Sequence, residues 1–144
     1  MQGLSDSCPN IKYVIIDTVN GIMIADEMRR AKEKNFDKWI DLAQCVWDLA
    51  DSLYFYRDDL TIILMAHTQT DESGFTRIKT NGKKIDKITL ESKFTTVLIS
   101  KCVGDQYIFE THSSNSTCKT PMGAFETETI ENDIVEVVKA LEEY

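Results

Sequence analysis

Asp17 stands directly after the apolar run Ile11 to Ile16, in the stretch KYVIIDTVNG. An acid so placed lies at the carboxyl edge of a parallel sheet, where open α/β sheets hold their ligands. Its oxygens can there orient a Mg2+ ion and its waters beside nucleotide phosphates. Strands also end in Asp through turn preference alone, so Asp17 needs support from elsewhere. A second apolar run, Leu60 to Ala66, ends on His67, Thr68 and Gln69. If the two runs are neighbouring strands, these residues emerge beside Asp17. A Gln carboxamide can bond a terminal phosphate or an attacking water, and His67 could do the same. The bland alternative is a set of polar strand-end residues leading into a loop.

A third feature is a cluster of cations. Arg77, Lys79, Lys83, Lys84 and Lys87 face only Asp86 between positions 77 and 87, a local charge of +4. Such a segment could grip a phosphodiester backbone, with affinity falling as salt rises. It could equally be a solubilising loop tip. Two other chemistries fit poorly. A two-histidine phosphoesterase would want H-x-S/T at both His67 and His112, and HTQ does not comply while HSS does. A phosphotransferase with Asp17 as nucleophile would want a second Asp two residues on, where Val19 stands.

The elements that must position these residues are read from pattern. Ile11 to Ile16 is β-branched and nearly continuous, which suits a strand covered on both faces. Met23 to Lys34 is helix-forming and charged. Asn35 then suits an N-cap, followed by Phe36, Trp39, Ile40, Ala43, Val46, Trp47, Ala50, Leu53 and Tyr54 at three- and four-residue steps, a core-facing helix. Strand, helix and strand in this order predict a right-handed βαβ unit with parallel strands. Asn81-Gly82 is a strong hairpin signal. TTVLISKCV and QYIFETHS, joined at Gly104-Asp105, predict an antiparallel pair. The segment 130–143 carries Ile130, Ile134, Val137, Val138 and Leu141 on one face, an acidic amphipathic helix.

Length and composition bound these readings. At 144 residues the chain is long enough for one domain with a real core, and 42% hydrophobic with 28% charged residues is ordinary for a globular protein. A net charge of −8 argues against wrapping nucleic acid by bulk charge, while a local basic patch could still do so. Cys8, Cys45, Cys102 and Cys118 lack CxxC spacing, which favours reduced thiols over a zinc site. MQGLSDSCPN has no signal-peptide pattern and no apolar run approaches ~18 residues. A cytoplasmic protein with no membrane contact is expected.

In this order, the pieces resemble the second half of a RecA-like ATPase core, the group of bacterial recombinases, KaiC-like proteins and phage recombination and annealing ATPases. YVIIDTVNGI resembles the Walker B strand, with Asp17-Thr18 where the family has Asp-Ser. LTIILMAHTQ resembles the next core strand, and Gln69 matches its glutamine. The predicted basic hairpin, Gly74 to Ile88, falls where the family carries its second DNA-binding loop. Lys93-Phe94 match a Lys-Phe pair at the subunit interface, and CKTPMGAF is similar to a stretch whose lysine reaches the neighbouring subunit's ATP.

The resemblance covers about residues 11–126 of a single domain, 1–144. It implies a partial RecA-like three-layer α/β sheet, with parallel strands, C-terminal antiparallel strands and flanking helices. It also implies roles: Asp17 for Mg2+; Thr18 and Lys119 for ATP; Gln69 and His67 for catalysis and γ-phosphate sensing. Arg77, Lys79, Lys83, Lys84 and Lys87 would face single-stranded DNA, and Lys93 and Phe94 would couple the two sites. No G-x-x-x-x-G-K-S/T run occurs in the chain. The expectation is therefore the C-terminal portion of a recombination ATPase, inactive and without tightly bound ATP when alone. It would be completed by an N-terminal portion or by further copies of itself. The other reading is a nonenzymatic nucleic-acid-binding or assembly module that retains the fold.

Overall fold

The computed structural model describes residues 3, 7–34, 37–80 and 89–144. Within them the protein is a mixed α/β structure with parallel and antiparallel sheets. It divides into two compact units, residues 1–68 with 78–93, and residues 69–77 with 94–144. Among the described residues no helix is long and apolar enough to cross a membrane.

In the first unit, strand β1 (Tyr13–Ile16) pairs in parallel with β2 (Thr61–Leu64), in the register Tyr13 to Thr61 through Ile16 to Leu64. Between them run helix α1 (Val19–Arg29), helix α2 (Asp37–Ser52) and a short 3-10 turn, Leu53–Phe55. The predicted βαβ order and parallel pairing are thus present, with two helices in the crossover. The predicted helix at Met23 begins earlier, because Thr18 supplies an N-cap: its Oγ1 accepts from the Gly21 N–H at 3.0 Å. It ends at the Arg30 C-cap, whose guanidinium bonds Glu33 and, at 2.8 Å, Asp41 on α2.

One expectation is corrected. β1 is not covered on both faces, since Tyr13 and Ile15 are 55% and 60% exposed while Val14 and Ile16 are half-buried. The pleat sends alternate side chains to opposite faces, and only one of those faces is covered among the described residues. The core lies between the helices: Val19 and Met23 on α1, Leu42, Ala43, Val46 and Ala50 on α2, and Leu90 in a second 3-10 turn, Leu90–Lys93. The buried arc of α2 is rotated from the predicted stripe. Ala43, Val46 and Ala50 are buried as expected, Ile40 and Tyr54 are exposed, and Leu42 is buried. Asn35, Phe36 and the Asn81-Gly82 turn lie outside the described residues.

A hairpin not foreseen from sequence follows β2: β3 (Thr68–Thr70) and β4 (Thr76–Ile78). Its turn is built by Asp71, whose Oδ1 accepts from the Ser73 N–H (2.9 Å), the Ser73 hydroxyl (2.6 Å) and the Phe75 N–H (3.0 Å). Gly74 closes it at φ +85°, a left-handed conformation that costs an L side chain about 1–2 kcal/mol. A Cβ there would meet nothing within 4 Å, so Gly74→Ala should destabilise the hairpin through backbone strain alone, by about that amount. Urea unfolding of the second unit followed by far-ultraviolet circular dichroism checks this; an unchanged midpoint refutes it.

The same turn carries an acid dependence. Hydrogen bonds from Ser73 and then from the Phe75 backbone hold the Asp71 carboxyl below the ordinary carboxylate range. Its stabilisation is complete above the unfolded Asp value, about 3.9, and is lost as pH falls through the lower folded value. Exchange of the Ser73 and Phe75 amides should accelerate in that window beyond the intrinsic rate. Asp71→Asn should remove that component.

The second unit also contains an antiparallel sheet ordered β5 (Ile99–Val103), β6 (Gln106–Glu110) and β7 (Thr129–Glu131). The predicted pair joined at Gly104-Asp105 is present, with Ile99 opposite Glu110 and Val103 opposite Gln106. The predicted helix over 130–143 is corrected. Residues 129–131 pair with β6, and helix α3 spans Ile134–Glu143. Asp133 decides the boundary by capping, its Oδ1 accepting from the Val135 N–H at 2.8 Å. Val137 is the buried residue of α3.

Candidate functional site

The parallel register fixes one edge of the first unit. Ile16 is level with Leu64 at the carboxyl ends of β1 and β2, so Asp17 and Met65 are the first residues beyond the ladder. The backbone then interlocks: the Met65 N–H donates to the Ile16 carbonyl at 2.9 Å, and the Val19 N–H donates to the Met65 carbonyl at 2.9 Å. The Asp17–Thr18 peptide between them is cis. The Asp17 carboxylate is exposed at this edge, and His67 follows β2 on the same edge with an exposed side chain. Thr18, expected to bind a cofactor, caps α1 with its hydroxyl oxygen, which leaves its O–H free to donate.

A residue that sequence reading passed over holds this edge together. Asn20, on the first turn of α1, is 3% exposed. Its Oδ1 accepts from the His67 N–H at 2.7 Å and its Nδ2 donates to the Lys79 carbonyl at 2.6 Å. The Lys79 N–H in turn donates to the His67 carbonyl at 2.7 Å. The only sequence signal was an Asn just inside a helix that follows a strand. Glu91, 5% exposed, is a second such residue, and its Oε1 accepts from the Ile78 N–H at 2.9 Å. Buried polar groups of this kind are tolerated only when bonded.

Of the predicted cations, Lys79 is exposed at the exit of β4, and Arg77 on β4 belongs to the second unit and is half-buried. Lys83, Lys84 and Lys87 lie outside the described residues. Lys93 has two partners on α2: its Nζ lies 3.9 Å from the Trp47 ring centroid and 2.6 Å from Asp51. Its carbonyl accepts from the Tyr54 hydroxyl.

In the second unit Gln69 is half-buried on β3, and Phe94 is half-buried. Lys119 pairs through its backbone with Val97, at 2.8 and 2.9 Å, and keeps a partly exposed side chain. Its neighbour Cys118 is buried, and burial pushes the thiol up against the opposing pull of the Ser116 hydroxyl bond. Such a thiol is a packing group rather than a nucleophile. No disulfide links the four cysteines. His112 is exposed with its Nδ1 3.0 Å from the Thr111 hydroxyl.

Among the described residues no cluster of three or more His, Cys, Asp or Glu could hold a metal ion. Mg2+ does not require one. It keeps several waters and is bound through one or two carboxylates together with the phosphates it accompanies, a role that an exposed Asp17 fits. No known protein family, curated protein or solved structure matches the chain.

Proposed function

We propose that this chain is the C-terminal portion of a RecA-like ATP-binding protein acting in DNA recombination, repair or single-strand annealing. The observation that carries this reading is the shared edge. An exposed acid follows a parallel strand, and the same edge is bonded, through Asn20, to the β4 exit where the basic run continues. What supports the reading is that the first turn of α1, His67 and Lys79 share one set of hydrogen bonds beside the acid.

In this reading Asp17 orients a nucleotide-bound Mg2+ through its waters, and Thr18 donates toward the same ligand. His67 and Gln69 sense the terminal phosphate, and Lys119 reaches the nucleotide of a neighbouring subunit. Arg77, Lys79, Lys83, Lys84 and Lys87 contact the phosphodiester backbone of single-stranded DNA. Lys93 and Phe94 link the two functions. When bound, ATP with Mg2+ would supply phosphoryl-transfer energy for conformational change.

The test is a salt titration of binding to a fluorescein-labelled oligo(dT). The expected result is a linear fall of log affinity with log salt, by about 0.7 per phosphate neutralised. Undetectable binding at about 20 mM salt, where counterion release favours association most, removes the nucleic-acid half of the proposal. Calorimetry with Mg-ATP addresses the other half separately, and micromolar binding would contradict the expected incompetence of the isolated chain.

A further inference from the structure

Asn20 uses both ends of its carboxamide on backbone groups that lie 47 and 59 residues away in sequence. Those two groups belong to residues that bond each other, through the Lys79 N–H and the His67 carbonyl. The first turn of α1, the exit of β2 and the exit of β4 are therefore joined at one buried side chain. Glu91 adds a second fastening one residue earlier on β4, at the Ile78 N–H. A carboxamide suits this task because it carries an acceptor and a donor on one rigid plane. Its burial means that neither bond competes with solvent.

We infer that Asn20 is a positioning residue for nucleic-acid binding. It fastens Lys79 to the edge that carries Asp17 and His67. The inference rests on the nucleic-acid reading above. It adds that affinity depends on an uncharged, buried side chain that touches no phosphate. Without the Asn20 bond the β4 exit samples more conformations, and binding must order it again.

Two variants separate the two bonds. Asn20→Asp keeps an acceptor for the His67 N–H and places a second carboxylate oxygen against the Lys79 carbonyl. Asn20→Ala removes both partners without adding charge. In hydrogen–deuterium exchange, Asn20→Asp should lower protection of the Lys79 amide about tenfold, because its bond to the His67 carbonyl opens more often once the Lys79 carbonyl is unfastened, and leave the His67 amide protected. Asn20→Ala should lower protection of both, the His67 amide through loss of its acceptor and the Lys79 amide through the loosened β4 exit. In both variants the amides of α2 should exchange as in the wild type. Asn20→Ala should also weaken oligo(dT) binding about tenfold with the salt slope unchanged, because no cation is lost.

Unchanged Lys79 protection in both variants overturns the inference, and so does acceleration that extends equally through α2, which marks a general packing role. Wild-type affinity in Asn20→Ala overturns it as well. If the wild-type chain binds no oligo(dT), the functional reading fails and the positioning role fails with it. The exchange pattern then still reports whether the fastening exists.

Discussion

Replacing Lys83 and Lys84 together with glutamate should weaken single-stranded DNA binding by at least about tenfold at low salt and flatten its salt dependence. The chain carries a net charge of −8, so it has no general attraction for a polyanion, and binding must come from a local excess of cations. Between positions 77 and 87 that excess is +4, and the double substitution cancels it entirely. Two lost phosphate contacts should reduce the slope of log affinity against log salt by about 1.4 for a single strand. The slope is the more telling measurement, because a folding defect lowers the active fraction without changing it. Lys139→Glu on α3 serves as the control, since Lys139 pairs with Glu136 at 2.7 Å and lies outside the basic run. Wild-type affinity and slope in the Lys83/Lys84 variant would remove this segment from the proposed interface.

Leu42→Ala should destabilise the first unit by about 3 kcal/mol, the middle of the range for truncating a buried leucine. Leu42 is 2% exposed on α2, within the core that also holds Val19, Met23, Val46 and Ala50. The loss combines the transfer energy of the removed methyl groups with the cavity left behind. Both tryptophans, Trp39 and Trp47, sit on α2, so urea unfolding followed by tryptophan fluorescence reports on this unit directly. Leu42→Met, which nearly conserves volume, should cost less than about 1.5 kcal/mol. A loss below about 1 kcal/mol for Leu42→Ala would mean that the helix face assigned to the core is not the one that stabilises it.

The apolar period of α2 was legible because three- and four-residue spacing is a property of the helix itself. Its buried side was not. The apolar residues span a wider arc than the core needs, and the neighbours along α1 and at Leu90–Lys93 select the part that includes Leu42 and leaves Ile40 exposed. The last helix was legible over most of its length, but its predicted start lay too early for a related reason. Ile130 fits a helical face, but pairing with β6 and the Asp133 cap assign it to a strand. The β3–β4 hairpin was missed because the hairpin signal lay at Asn81-Gly82, while the turn that joins these strands is an Asx-type turn at Asp71 closed by Gly74.

The sequence by itself determined the local facts: the two β-branched runs, the helical period between them, the glycine turn at Gly104 and the run of cations after Arg77. Each follows from the covalent preferences of a few adjacent residues. It also placed Asp17 and His67 at strand ends, and the parallel register brings those ends to one edge. Only the tertiary structure decided what holds that edge. Asn20 carries no local signature of its role, because its partners are distant in sequence and bond through backbone groups that any residue would offer. The exposure of Tyr13 and Ile15 was undecidable for the same reason. A strand's alternation defines two faces, but which of them is covered depends on elements elsewhere in the chain.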